Sequence, residues 1–394
     1  MNRKAAIVGV LAIATLNMAS LFISPVMGLI VAAFSNEPLS NVQLILSVAN
    51  LTGLIAAFVI GKLAMTVPNK TIALGGIAFI LVFGLIPYFV HANIWILVAC
   101  SGMLGIGMGA LSNILPALMA DYFPEDQRQS VMGMQVAFAS IGLMVMGLIA
   151  GKLGTISWNS AYLVYAYAAI VLIVVAAVMP KVEKTANGET QDGQNAGNWR
   201  QVISPAVITL SVCGMMFLLI NNAYNTNYAL VIDQKGLGGS DVSGMISTIG
   251  QFGGLIAGLC VGAIAKKGRN YMLVLTFAAA ALGMLCCAYA PGIAAQAVGS
   301  FIVNASMSFF YASAPFMMTV IVKPIFIPLG MAVLTVFNSV GGFISPYVIN
   351  GINTLFGSTA VGAVTVGAVL SLVMMVALLL SGFQKRSYAK AHQH

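Results

Sequence analysis

The chain has 394 residues, 60% of them hydrophobic and 7% charged, with a net charge of +8 and a mean hydropathy of +0.99. A soluble globular domain carries about 25% charged residues, so the composition excludes a water-facing surface and marks an integral membrane protein. The five cysteines all lie in apolar runs, odd in number and without metal-ligand spacing, which argues for small buried hydrophobes.

Apolar runs recur along the whole length, each long enough to cross a hydrocarbon core of about 30 Å as a helix. Barrel strands would be shorter and alternating. Twelve spans are expected: 6–33, 42–64, 71–90, 94–119, 129–151, 160–179, 205–231, 241–264, 271–290, 293–320, 327–352 and 357–382. The first follows Arg3 and Lys4 but is too long for a signal core and has no clear cleavage site, so it reads as retained. With the N-terminus placed in the cytoplasm, 15 basic residues fall on the inner side and only Lys152 and Lys235 on the outer. This is the positive-inside bias, which a lost or added span would scramble. The basic residues are dispersed over seven segments, a pattern for anionic lipid rather than for nucleic acid.

Between spans 6 and 7, KVEKTANGETQDGQNAGNWRQ (181–201) is polar and reads as a flexible cytoplasmic linker. The expected organisation is an N-terminal six-helix bundle (1–180), a linker (181–204) and a C-terminal six-helix bundle (205–394). The halves repeat. GLIAAFVIGKLA from Gly53 aligns without gaps to GLIAGLCVGAIA from Gly254, and Pro124, Gly142, Ile149 and Gly151 meet Pro324, Gly342, Ile349 and Gly351 at an offset of 200. Two six-span halves in parallel orientation are an architecture in which a central pathway can form and rock between two openings.

These features resemble the major facilitator superfamily over essentially the whole chain. GKLAMTVPNK after span 2 is similar to the superfamily's loop G-x-L-A-D-x-x-G-R-K, with Gly61, Leu63, Ala64 and Lys70 fitting and Met65 at the acidic position. Its repeat GAIAKKGRN keeps Gly262, Ala265, Gly268 and Arg269. MADYFPEDQRQSVMGM (119–134), with Asp121 and Arg128, resembles the span 4–5 junction, and SVGGFISPYVING (339–351) resembles span 11. The resemblance implies an all-α fold of two pseudo-symmetric bundles with both termini cytoplasmic. It also implies transport by alternating access, a conformational role for Gly61, Lys70, Asp121, Arg128, Gly262 and Arg269, and a cavity lined by spans 1, 4, 7 and 10. Two departures weaken a proton/drug antiporter subtype: Ser101 replaces an Arg often found in span 4, and Leu148 replaces a Pro in span 5.

Helical spacing orders the polar residues into stripes. Span 7 offers Asn221, Tyr224, Asn225 and Tyr228, flanked by Asn222 and Asn227. Span 10 offers Asn304, Ser308 and Tyr311; span 1 offers Asn17, Ser20 and Ser24; span 4 offers Ser112. A carboxamide facing lipid costs several kcal/mol unpaired, so these stripes face protein or water. Interhelical hydrogen bonds, worth about 0.6 kcal/mol per pair, are one use. Binding a hydroxyl- or carbonyl-bearing solute, with the tyrosines as apolar plates, is the other. Spans 2 and 8 add Gln43, Ser47, Asn50 and Ser243, Ser247, Gln251, which serve either as gate contacts or as helix–helix glue.

All nine acids lie at span ends or in loops, and His91, His392 and His394 lie outside mid-membrane. Intramembrane ionisable groups mark proton relays; without one, coupling through a buried carboxylate is not expected. A strongly anionic substrate would find no cavity Arg or Lys. The reading is a secondary transporter of a small, largely neutral organic solute, as facilitator or exchanger. Its partners are that solute and the bilayer, with no nucleic acid, metal or cofactor, and it is a monomer in a bacterial cytoplasmic membrane. Efflux of hydrophobic compounds is the alternative, then organic-anion exchange. A receptor lacks a signalling surface, and no nucleophile–base pair points to an enzyme.

Overall fold

The computed structural model describes residues 3–122, 125–179, 204–322 and 326–391, so the expected linker falls outside them up to residue 203. Every regular element among the described residues is helical. Among the described residues eleven helices are long and apolar enough to cross a membrane, or twelve when one bent pair is counted as a single span. The chain is a multi-pass, all-α membrane protein.

By chain contacts it divides into two units. The first comprises residues 1–187 with 235–248, and the second 188–234 with 249–394. In unit 1, α1 (Arg3–Ala14), α2 (Met27–Ala33), α3 (Leu39–Thr66), α4 (Asn69–Phe89), α5 (Ile94–Tyr122), α6 (Glu125–Gly154) and α7 (Tyr167–Val178) follow in order. Unit 2 opens with α8 (Pro205–Gln234). It continues through most of α9 (Ser240–Gly268), α10 (Met272–Tyr289), α11 (Gly292–Ile321), α12 (Ile327–Asn353), α13 (Ala360–Ser381) and a short α14 (Phe383–Ala391).

Glycines set the closest seams. In unit 1, α3 lies against α5 with the Gly53 backbone against Gly109, where any side chain on Gly109 would meet the Gly53 carbonyl. In unit 2, Gly253 of α9 meets the Phe301 backbone of α11, and Gly341 of α12 meets the Met215 carbonyl of α8. Between membrane helices packing replaces the hydrophobic effect, and small residues permit it.

The first span departs from expectation. Residues 6–33 are not one helix: Ile7–Ala14 and Ala19–Ala33 meet at 42°, with 3-10 turns at Ala19–Leu21 and Ser24–Val26. The cause is local competition for carbonyls. Thr15 Oγ1 donates to the Ala12 carbonyl at 2.6 Å. Pro25 has no N–H for the Leu21 carbonyl four residues back, and Ser24 Oγ donates there instead at 2.7 Å. The Ala19 carbonyl accepts from Tyr165 Oη at 2.9 Å. The sixth span likewise starts as a 3-10 segment, Trp158–Ala166, before α7. One helix was unexpected: α14 follows Gly382, which takes the left-handed conformation (φ 56°) that ends α13.

Candidate functional site

The polar segment of α8 divides by the partners of its four carboxamides. At about 100° per residue, Asn222 faces α12 and donates from Nδ2 to the Gly342 carbonyl at 2.7 Å. That carbonyl lies four residues before Pro346, which is inside α12 and cannot donate to it. Asn222 thus supplies the hydrogen bond that the proline removes. Ser345 reinforces the seam by donating to the Leu219 carbonyl at 2.6 Å. Asn227 donates back to the Ala223 carbonyl of its own helix at 2.8 Å, and Thr226 to Asn222 at 2.9 Å.

On the other flank Tyr224 lies near Ser300 of α11 and Cys287 of α10. Its ring stacks on Tyr228, centroids 5.5 Å apart. Both tyrosines are buried. Between these flanks lies the strip of Asn221 and Asn225. Asn225 Nδ2 donates to Asn221 Oδ1 at 2.9 Å. This leaves one NH2 group and one carbonyl oxygen wholly uncommitted on the pair, with a further N–H on the donating amide. Exchanging O and N in both amides swaps their positions but keeps one of each. Asn225 is half-buried.

The α11 stripe is more committed. Asn304 Oδ1 accepts from Gln251 Nε2 of α9 at 2.9 Å, and its Nδ2 donates to the Ser300 carbonyl at 2.9 Å. Ser308 donates to the Gly254 carbonyl at 2.6 Å. Tyr311, 49% exposed, is the open member of the stripe. The sequence stripes also left out Asn338 of α12, whose Oδ1 lies against Gly214 of α8 without a hydrogen-bond partner. A lone Asn between SVGG and a Phe carries no periodic signal.

In unit 1, Asn17 sits in the non-helical break, so the i, i+3, i+7 geometry expected for Asn17, Ser20 and Ser24 does not hold there. Ser112 Oγ of α5 donates to Asn17 Oδ1 at 2.9 Å, leaving the Asn17 amide NH2. The Ser20 N–H meets Met108 Sδ at 3.3 Å. Ser24 is buried and turned to its own backbone.

Of the loop residues, Lys70 bridges elements within unit 1. Its Nζ donates to the Ala176 carbonyl at 2.7 Å and to the Met179 carbonyl, which satisfies the orphaned end of α7 and complements its negative pole. Gly61 lies beside Asn113. Asp121 ends α5, Arg128 lies in the first turn of α6, Gly262 lies in α9 and Arg269 in the 3-10 turn that follows it. The side chains of Asp121, Arg128 and Arg269 are outside the described set. Among the described residues no group of three His, Cys, Asp or Glu side chains could hold a metal ion.

The sequence matches the model of the Major Facilitator Superfamily over residues 6–346. No protein of curated function matches it in sequence. Among solved structures it is similar to a point mutant of the nucleoside transporter NupG, with a TM-score of 0.81 at 12% identity, covering 95% of this chain and 99% of that one. NupG without the mutation gives 0.74 at 13% identity, covering 96% and 99%. A bacterial homologue of the human lysosomal transporter Spinster, inward-facing and unoccupied, gives 0.64 at 16% identity, covering 99% and 98%.

Proposed function

This chain belongs to the major facilitator superfamily, and on that premise we propose that it is a secondary transporter of a small, largely neutral organic solute, working by alternating access. The observation that carries this reading is the Asn221–Asn225 pair. It is a carboxamide pair on a long membrane helix, with a donor and an acceptor to spare and no charged side chain on α8 before Asp233. Buried polar groups that are not paired within the protein favour a ligand that pairs them. An anion would need cations that α8 and α11 do not carry. Asn17, Ser112 and Tyr311 are further proposed contacts. Asn304, Ser308, Ser20, Ser24, Tyr224 and Tyr228 act mainly by holding backbone and neighbours in place.

Gly61, Lys70, Asp121, Arg128, Gly262 and Arg269, at or near the helix ends, are assigned to the conformational change. The positive-inside pattern supports cytoplasmic termini, the polar composition of 181–204 supports a linker there, and the compact loops support a bacterial cytoplasmic membrane as the location. NupG is a nucleoside transporter; at this identity the likeness concerns the fold, and it places nucleosides among the neutral solutes to try.

The test is thermal unfolding of the purified protein with neutral polyols and nucleosides, with carboxylates, and with hydrophobic cations. A ligand at 100 times its dissociation constant that binds only the folded state adds about 2.7 kcal/mol. Stabilisation by a neutral compound, absent in Asn225→Ala but kept in Asn227→Ala, supports the reading. Stabilisation by hydrophobic cations alone points to drug efflux, and by carboxylates alone to anion exchange. Uptake driven by an acid gradient and lost in Asp241→Asn would refute the absence of proton coupling.

A further inference from the structure

The end of unit 2 where α9 finishes and α10 begins carries more positive charge than the conformational role of Arg269 accounts for. After Asp241 the chain contains no Asp or Glu at all. Lys266 and Lys267 close α9, Arg269 opens the 3-10 turn, and Lys385, Arg386 and Lys390 lie in the nine residues of α14. α14 packs on that turn and on α11, so its backbone brings both basic groups to one end of the unit. Clustered like charges repel and need a counter-charge.

α14 is held in place rather than trailing. Gly382 turns the chain out of α13 in a left-handed conformation. Gln384 is 4% exposed, and its Oε1 accepts from the Leu273 N–H at 3.0 Å, satisfying an orphaned donor at the start of α10. Ser387 donates to the Phe383 carbonyl. With Gln384 buried, Lys385 and Arg386 are exposed.

Depth selects the partner. Leu379 and Leu380, the latter 81% exposed, belong to the apolar surface of α13, and Lys385 follows five residues later. At about 1.5 Å per helical residue the two cations stand within about 10 Å of hydrocarbon, at the level of lipid headgroups. We propose that α14 is a docking platform for anionic phospholipid, whose headgroup meets Lys385 and Arg386 while its acyl chains lie along Leu379 and Leu380. Basic clusters beside a span attract such lipids, and the positive-inside pattern places this face toward the cytoplasmic leaflet.

The full-length protein in nanodiscs of phosphatidylglycerol or of phosphatidylcholine provides the test. Thermal unfolding is expected at higher temperature with phosphatidylglycerol, and the difference should shrink with salt. The difference should vanish in the Lys385→Ala/Arg386→Ala/Lys390→Ala variant, each cation contributing about fivefold in lipid affinity. The Lys385→Arg/Arg386→Lys variant should keep it. An undiminished lipid response in the triple alanine variant overturns the proposal. So does an equal shift from glycerol phosphate added to phosphatidylcholine discs, which would make the ligand a soluble anion. A third contrary result is a wild type indifferent to lipid charge that becomes responsive on Glu183→Gln/Glu189→Gln/Asp192→Asn. The acids between the two halves would then be the occupant.

Discussion

The first and seventh spans are counterparts in the repeat, and both carry a polar middle, yet one breaks and the other does not. In the first, the stretch from Thr15 to Val26 leaves α-geometry. In the seventh, α8 runs 30 residues unbroken through NNAYNTNY. Polar content therefore does not break a membrane helix. In α8 the side chains that bond the helix's own backbone, Thr226 and Asn227, donate to carbonyls three or four residues back that keep their place in the ladder. In the first span Pro25 removes a ladder donor, Ser24 takes over its carbonyl from one residue away, and Tyr165 takes a second carbonyl from outside. Proline alone is not the cause either. α12 contains Pro346 and stays continuous, because a neighbouring helix serves its orphaned carbonyl. Pro87, Pro116 and Pro315 likewise stand inside continuous helices, so the break goes with the set of carbonyl contacts around Ser24 and Pro25 rather than with a proline as such.

The largest expected effect is at the break. Gly142 of α6 lies so close to Thr15 that a Cβ there would collide with the Thr15 carbonyl and Cα. Gly142→Ala should cost about 1–3 kcal/mol through overpacking, against a helix-propensity gain of about 1 kcal/mol. A clear drop in melting temperature checks this; an unchanged value would mean that the break can move aside.

A double-mutant cycle sharpens the proline comparison. Asn222→Leu leaves the Gly342 carbonyl without a donor and should cost about 1–3 kcal/mol. Pro346→Ala returns a backbone N–H at the right place, so the cost of Asn222→Leu should largely disappear in that background. Additive losses would show that Asn222 stabilises α12 by some other contact. Next in size is Tyr165→Phe, which removes one of two donors to the Ala19 carbonyl, the Phe22 N–H being the other, and should cost about 1 kcal/mol. A null result there would mean that the Phe22 N–H alone suffices for that carbonyl.

Much of this architecture is readable from the chain. The spans expected at 94–119 and 241–264 appear as Ile94–Tyr122 and Ser240–Gly268, because long apolar runs bounded by Pro, Gly and charge leave little freedom. The break in the first span is not readable, since Ser24-Pro25 and Ser345-Pro346 look alike locally. They differ in a partner 146 residues away in one case (Tyr165 to Ala19) and 120 in the other (Asn222 to Gly342). The α8 stripe was legible as a stripe. Which carboxamides are occupied was not, because that depends on Gly342 of a different helix. α14 was missed because nine mostly polar residues after a span have no apolar period to mark them; its hold on α10 includes the side chain of Gln384.

The smallest effect tests how far the repeat itself reaches. Gly151 and Gly351 match in the alignment of the halves, but their surroundings differ. A side chain on Gly151 would meet the Ser240 carbonyl and the Gly244 backbone, both within unit 1, whereas one on Gly351 would meet nothing within 4 Å. Gly351 has no left-handed φ to preserve. Gly351→Ala should therefore raise stability by about 0.5–1 kcal/mol, through helix propensity and a less flexible unfolded chain. Gly151→Ala should lower it. Equal responses at the two sites would mean that the glycine is kept for a property of the repeat rather than for its neighbours. Opposite signs would show that sequence symmetry has outlived the contact that once required it.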